Sequence, residues 1–497
     1  MSPLAVGPAW AEWATATFLR AHRLGRPILL LLTTRWTTGA AALVDGLLGA
    51  APVARLVDER FIAIRVDADE RPDIAERYTV HGWPTLAFLT PAGLPLGLWP
   101  GDEVDAGRLA STLDAVSQRY ARERPVLDRA IPAAALGAQP SPATRGALPD
   151  ADATAAMTAM LVGGFDRIHG GFGAGPKFPH ASALEFALVE TARGAPTPLA
   201  DIALASLDAM AEGGLRDRHH GGFHRACAGH DWSAPDTAVL LDVQADMLRL
   251  YSDAALVLGA TRYRDVAAEL SAFVRREMPL PMPGFRLAWS AAARDRPADL
   301  LCFVGANARI ASALIKAGVA LDDGSLVELA VEVLERVVSE AYRPGAGLAR
   351  VLDPRPRLRG LVDDQVAVSA ALLEAAAATG RVAYADLAEE VMRSTMRRFW
   401  HADLGALGDR VPTTAGAGDV GLLAMPFAPL AANCQAGSVL LALADRSQDT
   451  SLATLAVTIL ASFALVWREA GLEGAPYALA CGDLRSATAE GVAGPLW

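Results

Sequence analysis

The chain has 497 residues, too many for one ordinary domain, and its 52% hydrophobic content is ample for two or three cores. A net charge of −11 without any basic run excludes nucleic acid and an anionic membrane surface from the expected partners. Cys227, Cys302, Cys434 and Cys481 are far apart, with neither a Cys-x-x-Cys nor a zinc spacing. Reduced, buried thiols are therefore expected, with no metal and no cofactor. No basic segment followed by an apolar core opens the sequence, and the most apolar run, Ser451–Trp467, is short for a membrane span. It reads as a buried helix, and the protein as cytoplasmic. Only Lys177 and Lys316 are lysines among the 45 basic residues. A lysine kept in so arginine-rich a chain marks a need for an ammonium, or survives by chance.

Residues 1–122 read as α/β in chain order. Trp10–His22 has one apolar helical face, Ile28–Leu32 is a continuous apolar strand, and Ala40–Leu56 is helical. Phe61–Val66 alternates and is β-branched, so it is a strand. A short helix at Pro72–Val80, strands at Leu86–Leu89 and Leu94–Trp99, and a helix at Gly107–Tyr120 complete a thioredoxin-like order. In a redox protein of this fold the first strand delivers a dithiol to a helix start, opposite an X-Pro bond, usually cis. Trp83 and Pro84 supply that bond. The dithiol is missing: Thr33–Ala40 has no cysteine, so Thr37 and Ala40 mark a degenerate redox site, with Thr37 a helix cap. Residues 123–150, rich in Pro and Ala, form a linker or an ordered strap.

Residues 151–497 read as eleven Ala/Leu-rich helices, the last at Asp449–Trp467, separated by Gly- and His-rich loops. Paired helices of this kind suggest an α/α toroid whose pocket lies where the loops gather. Gly213–Trp232 concentrates Asp217, His219, His220, His224, Arg225, His230 and Trp232 among glycines. It is either a polar pocket wall for sugar hydroxyls or a carboxylate, or a hydrogen-bonded structural loop. Phe165–Pro179 repeats its Gly-Gly-Phe punctuation, holds Lys177 and has a weaker echo at Gly405–Gly408. Lys177 either serves a site or pairs with an acid across the toroid mouth. Asp236, Asp242, Asp363 and Asp364 are acid/base candidates for glycoside hydrolysis or epimerisation, or else first-turn helix partners.

Pro27–Leu32, Val66–Asp73, Gly82–Gly93, Gly170–His180, Leu207–Asp217, Gly221–Arg225 and Asp231-Trp232, in this order, resemble a thioredoxin-like family of undefined function. That family includes spermatogenesis-associated protein 20, and the resemblance covers nearly the whole chain. It implies a thioredoxin-like domain followed by an α/α barrel similar to N-acylglucosamine 2-epimerases and six-hairpin glycosidases. Lys177, Asp217, His224, Arg225, Trp232, Gln244 and Asn433 match its pattern, as does the Trp83-Pro84 turn. Two departures stand out. Thr37-Thr38-Gly39-Ala40 replaces a Cys-His-Trp-Cys, and Asp236–Leu240 replaces a Pro-His-Phe-Glu-Lys-Met segment without its His, Glu and Lys. The expected protein is a redox-inactive pseudoenzyme that binds a small molecule, such as a sugar, or a protein partner. Asp217, Arg225, Trp232, Asn433, Trp83 and Pro84 are its expected binding residues. The alternative is a carbohydrate-active enzyme, an epimerase or glycosidase-like one, using Lys177, His219, His220, His224 and Asp242.

Overall fold

The computed structural model describes residues 7–37, 42–79, 82–100, 106–127, 137, 139–143, 148–194, 198–290, 300–411 and 418–489. The chain forms two compact units, Met1–Ala138 with Pro412–Phe427, and Gln139–Val411 with Ala428–Trp497.

In the first unit α1 (Thr15–Leu24) precedes β1 (Ile28–Thr33), and a π-helical turn at Ala42–Leu48 leads into α2 (Ala51–Arg60). Then come β2 (Ile62–Asp67), α3 (Pro72–Tyr78), β3 (Thr85–Leu89), β4 (Pro95–Pro100) and α4 (Ala106–Leu127). The sheet order is β2-β1-β3-β4, with β1 parallel to β2 and antiparallel to β3. Every residue of β1 is buried, as an all-apolar strand at the centre of a two-faced sheet must be. Helix α4 continues to Leu127, past the break expected at 122, although its last turns are mostly exposed and include Pro125.

A second difference is topological. Residues 418–427, placed by their sequence position within the helical region, complete this first unit. Leu422 and Leu423 are buried with Trp13, Ile74 and Tyr78. The Tyr78 hydroxyl donates to Gly93 O at 2.7 Å and accepts from Leu422 N at 2.8 Å. Arg77 Nε donates to Leu422 O at 2.9 Å. At Gly421, with φ of +62°, a Cβ would collide with the Gly93 carbonyl and the Tyr78 hydroxyl.

The second unit has twelve helices among the described residues, α5 (Ala153–Gly164), α6 (Ala181–Ala192), α7 (Pro198–Glu212), α8 (Leu241–Leu258), α9 (Thr261–Glu277), α10 (Val304–Leu321), α11 (Gly324–Ala341), α12 (Val362–Thr379), α13 (Val382–Phe399), α14 (Leu430–Ser447), α15 (Thr450–Phe463) and α16 (Ala475–Ala489). The twelfth, α16, escapes the sequence reading because Pro476 and Gly482 dilute its pattern. Proline is harmless in a first turn, and the helix is held by tertiary packing. Helices α6, α8, α10, α12, α14 and α16 pack in that order, and α16 closes back on α6, giving an inner ring of six. Helix α10 is long and apolar enough to cross a membrane, and it is instead mostly buried in this ring. Inner helices pass to outer ones through turns as short as 259–260, 322–323 and 380–381. The long connections all run from outer to inner helices, so they gather with the inner-helix N-termini at one end.

One device recurs there. The fourth residue of four inner helices is a buried amide: Gln244, Asn307, Gln365 and Asn433. Gln244 accepts from Phe223 N at 2.8 Å and donates to Phe223 O at 2.8 Å and Leu240 O at 3.0 Å. Asn307 does the same to Phe285 and Phe303 O, Gln365 to Leu348 and Leu361 O, and Asn433 to Leu407 and Pro429 O. Each amide thus pins the preceding loop to its own helix start. Asn433, expected as a binding residue, is one of these clamps and is fully buried. Asn307→Leu strands two buried backbone groups, Phe285 N and O, while Phe303 O keeps its bond from the Asn307 backbone N–H. Urea denaturation should show a loss of about 3 kcal/mol; a loss below about 1 kcal/mol would refute the clamp.

Candidate functional site

The two Gly-Gly-Phe loops extend to matched heptads, Asp166–Phe172 and Asp217–Phe223, each reading Asp-Arg-x-His-Gly-Gly-Phe. Asp166 Oδ1 accepts from Ile168 N (2.9 Å) and His169 N (3.1 Å), and its Oδ2 meets His169 Nδ1 at 3.2 Å. Asp217 does likewise with His219 N (2.9 Å), His220 N (3.1 Å) and His220 Nδ1 (2.7 Å). Burial opposes the Asp217 charge, but these hydrogen bonds outweigh it and hold its carboxyl below the usual range. The turn is self-satisfied, and its glycines supply the positive φ it needs.

This geometry commits most of the expected site residues to structural contacts, as the hydrogen-bonded-loop alternative supposes. Lys177, fully buried, spends its ammonium on Asp166 Oδ2 at 2.8 Å and Gly173 O at 2.8 Å. Asp217 and His220 satisfy each other, and His219 is exposed beside His220. Trp232 is buried as a wedge, its indole N–H donating to His169 O at 3.0 Å. His224 is half-buried with Nδ1 unpartnered, and burial lowers its basicity against the pull of Asp217 and Asp236. Only Arg225 reaches onward, pairing with Asp236 at 2.8 Å and lying 5.9 Å over the Phe178 ring. In the first unit the Trp83–Pro84 bond is cis, and the Thr37 hydroxyl meets that of Thr34; residues 38–41, which bear on its expected role as a cap, lie outside the described residues. Ala40 lies outside the described residues. All four cysteines are buried in the second unit; burial pushes the Cys227 thiol up to about 11 and those of Cys302 and Cys481 to about 12.

A cavity of about 260 Å³ opens at the N-terminal ends of α6 and α8, lined by Phe178, His180, Val243, Asp246, Met247 and Glu473, among others. His180 caps α6 in the left-handed region, with φ of 45°, and its Nδ1 lies 3.0 Å from Glu473 Oε1. Phe178 stays partly exposed as an aromatic face. Asp246 opens onto the cavity and has no hydrogen bond or ion pair among the described residues. Enclosure within the ring, reinforced by the Asp242 carboxylate, pushes its carboxyl up to about 7 against the pull of Arg309 and Arg249.

Asp246 belongs to a charged stripe on α8: Asp242, Asp246, Arg249 and Asp253 fall on one helical face. The others pair. Asp242 meets Arg309 at 3.5 Å, and Arg309 also binds Asp363. Arg249 joins four inner helices, bonding Glu185 (3.2 Å), Ser312 (2.9 Å) and Glu374 (2.9 Å). Asp253 takes Lys316 at 2.6 Å. Both lysines of the chain are thus paired with aspartates. The sequence reading named Asp242 and missed Asp246, His180, Phe178 and Glu473. The i, i+4, i+7, i+11 spacing of charges on an otherwise apolar helix was the available signal. No group of three or more His, Cys, Asp or Glu side chains able to hold a metal occurs among the described residues.

The Lys177 assignment has a pH signature. Its hydrogen bond to Asp166 holds that carboxyl well below the usual range. The pair therefore stabilises the fold above the unfolded carboxylate pKa of about 4 and loses that contribution as pH falls below it. Lys177→Met should cost about 3 kcal/mol at pH 7. The gap between the denaturation curves of the two proteins should begin to narrow as pH falls below about 4 and close only in strong acid, beneath the depressed Asp166 pKa; a pH-independent difference would sink the assignment.

Residues 5–134 match a family described as "Protein of unknown function, DUF255". The chain is 27% identical over 311 residues to spermatogenesis-associated protein 20 of Homo sapiens, covering 58% of this chain and 39% of that one. The chain thus spans about two fifths of that relative's length. Among solved structures, cellobiose 2-epimerase from Spirochaeta thermophila superposes with a TM-score of 0.57 at 14% identity, covering 68% of this chain and 96% of that one. A sugar epimerase from a ruminal bacterium gives 0.53 at 14% identity, covering 62% and 83%. At such identity these likenesses establish fold. The N-terminal unit is thioredoxin-like and matches that family's model over residues 5–134, and it is followed by an α/α barrel with the fold of the sugar epimerases.

Proposed function

We propose that the barrel binds a sugar or related polyol in the cavity at the inner-helix N-termini, and that the thioredoxin-like unit carries out no thiol chemistry. The cavity carries this reading: it sets the apolar face of Phe178 beside the carboxylates of Asp246 and Glu473 and the His180 imidazole. A pyranose has that duality, with C–H faces that pack on a ring and hydroxyls that donate to carboxylates. The fold shared with proteins titled cellobiose 2-epimerase and sugar epimerase supports the same ligand class. The redox part rests on Thr37, which stands where a nucleophilic cysteine would be needed, and on cysteines whose buried thiols stay protonated near neutral pH.

One observation favours turnover as a second reading. A carboxyl that titrates near 7 can accept and return a proton at neutral pH, as general acid/base chemistry requires. Any such chemistry would run through Asp246 rather than the loop residues Lys177, His219 and His220.

Calorimetric titration of the full chain with glucose, mannose and cellobiose should show saturable binding of at least one. Phe178→Ala should weaken it about tenfold, or about 1.4 kcal/mol. Absence of binding for all three, or an unchanged affinity in the variant, would refute the cavity as the sugar site. In a dithiothreitol-coupled insulin assay the protein should leave insulin disulfides intact; turnover lost on substitution of Cys227 or Cys434 would overturn the redox-inactive reading.

A further inference from the structure

The α8 stripe distinguishes Asp246 from its neighbours. Its charged neighbours Asp242, Arg249 and Asp253 each meet an opposite charge, from Arg309, from Glu185 and Glu374, and from Lys316. Asp246, in the middle of the stripe, has no such partner among the described residues and opens onto the cavity. The cavity lining holds two carboxylates, Asp246 and Glu473, and the His180 imidazole, but neither Lys nor Arg. The charged groups that act on Asp246 from the surrounding helices are Glu185 on α6, Asp242 and Arg249 on α8, and Arg309 on α10. Both guanidiniums already serve other acids, Arg309 with Asp242 and Asp363, and Arg249 with Glu185 and Glu374.

We propose that the cavity selects by charge and takes a polyhydroxylated amine of the amino-sugar class, its ammonium paired with Asp246 and its hydroxylated ring against Phe178. This rests on the sugar-binding reading above. A ligand carboxylate or phosphate meets two acids and no uncommitted cation. A neutral sugar leaves Asp246 without a counter-charge. An ammonium completes the stripe as Lys316 completes it at Asp253. Because enclosure raises the Asp246 carboxyl to about 7, a proton competes with the ammonium below that pH. For an amine that stays an ammonium at pH 8, affinity therefore rises with pH, by about tenfold between pH 6 and pH 8, as the ionised fraction of Asp246 does; an amine that itself titrates near 8 shows a smaller rise.

The test is calorimetry on the full chain with glucose, its 2-, 3- and 6-amino derivatives, and glucuronate, at pH 6 and pH 8. At least one amine should bind about tenfold tighter than glucose at pH 8, with most of that advantage gone at pH 6, and glucuronate should bind more weakly than glucose. Asp246→Asn should bring the amine to the level of glucose and remove the pH step; Glu473→Gln should keep the step. Glucose binding without preference for any amine, or glucuronate binding tightest, overturns the charge selection while leaving the sugar site standing. Binding of none overturns both. Should Asp246→Asn fail to fold, the ranking of the ligands by the unaltered protein decides.

Discussion

The amide at the fourth position of the inner helices is the constraint on which the barrel depends. A helix start leaves backbone groups without partners, and a long loop arriving there brings more. Gln244, Asn307, Gln365 and Asn433 answer both needs with one side chain, which pairs a loop residue twice and the helix's own first carbonyl once. Helices α6 and α16, where the ring closes, carry Leu184 and Ala478 at that position instead. There the cavity forms, and His180 and Glu473 join the two helix starts through an exposed polar contact. The buried amides and the cavity lie at the same end of the ring, and α8 bears both the Gln244 clamp and the cavity residues Val243, Asp246 and Met247.

Charge inside the ring follows the same economy. Arginine is used where one planar group must satisfy several partners, as Arg249 does for helices α6, α10 and α12. The two lysines are used where a single ammonium meets a single aspartate, one at Asp166 under a loop and one at Asp253 between α8 and α10. Asp246 departs from this pattern: it pairs with no cation among the described residues, and its pKa is raised by desolvation and the Asp242 carboxylate against the pull of Arg309 and Arg249. A local rule is broken where the stripe meets a cavity.

The thioredoxin-like unit keeps its frame with the reactive pair replaced. The buried strand β1, the cis Trp83–Pro84 bond and the sheet order are present, while Thr34 and Thr37 bond each other at the loop after β1. Its second departure is that residues 418–427 complete its core, so a short apolar run far along the chain stabilises a domain that composition ends near residue 122.

Periodicity and turn residues were enough to read the β1–β4 strands, eleven of the twelve barrel helices and the missing dithiol, because each is set by local chemistry: apolar spacing, helix breakers, the presence or absence of sulfur. The sequence marked Lys177 as a catalytic candidate and Asp217, Trp232 and Asn433 as binding candidates; in the structure they make ion pairs, turns and clamps that hold the loops in place. What it left open was which polar groups are satisfied by neighbours and which are not. That depends on contacts between residues tens to hundreds of positions apart, such as Gln244 with Phe223, His180 with Glu473 and Leu422 with Tyr78. Composition therefore pointed to the His-rich loops, whose polar heads turn out to satisfy one another. Ring closure by α16 decided the rest, because it brings Glu473 beside His180 at the cavity that Asp246 faces.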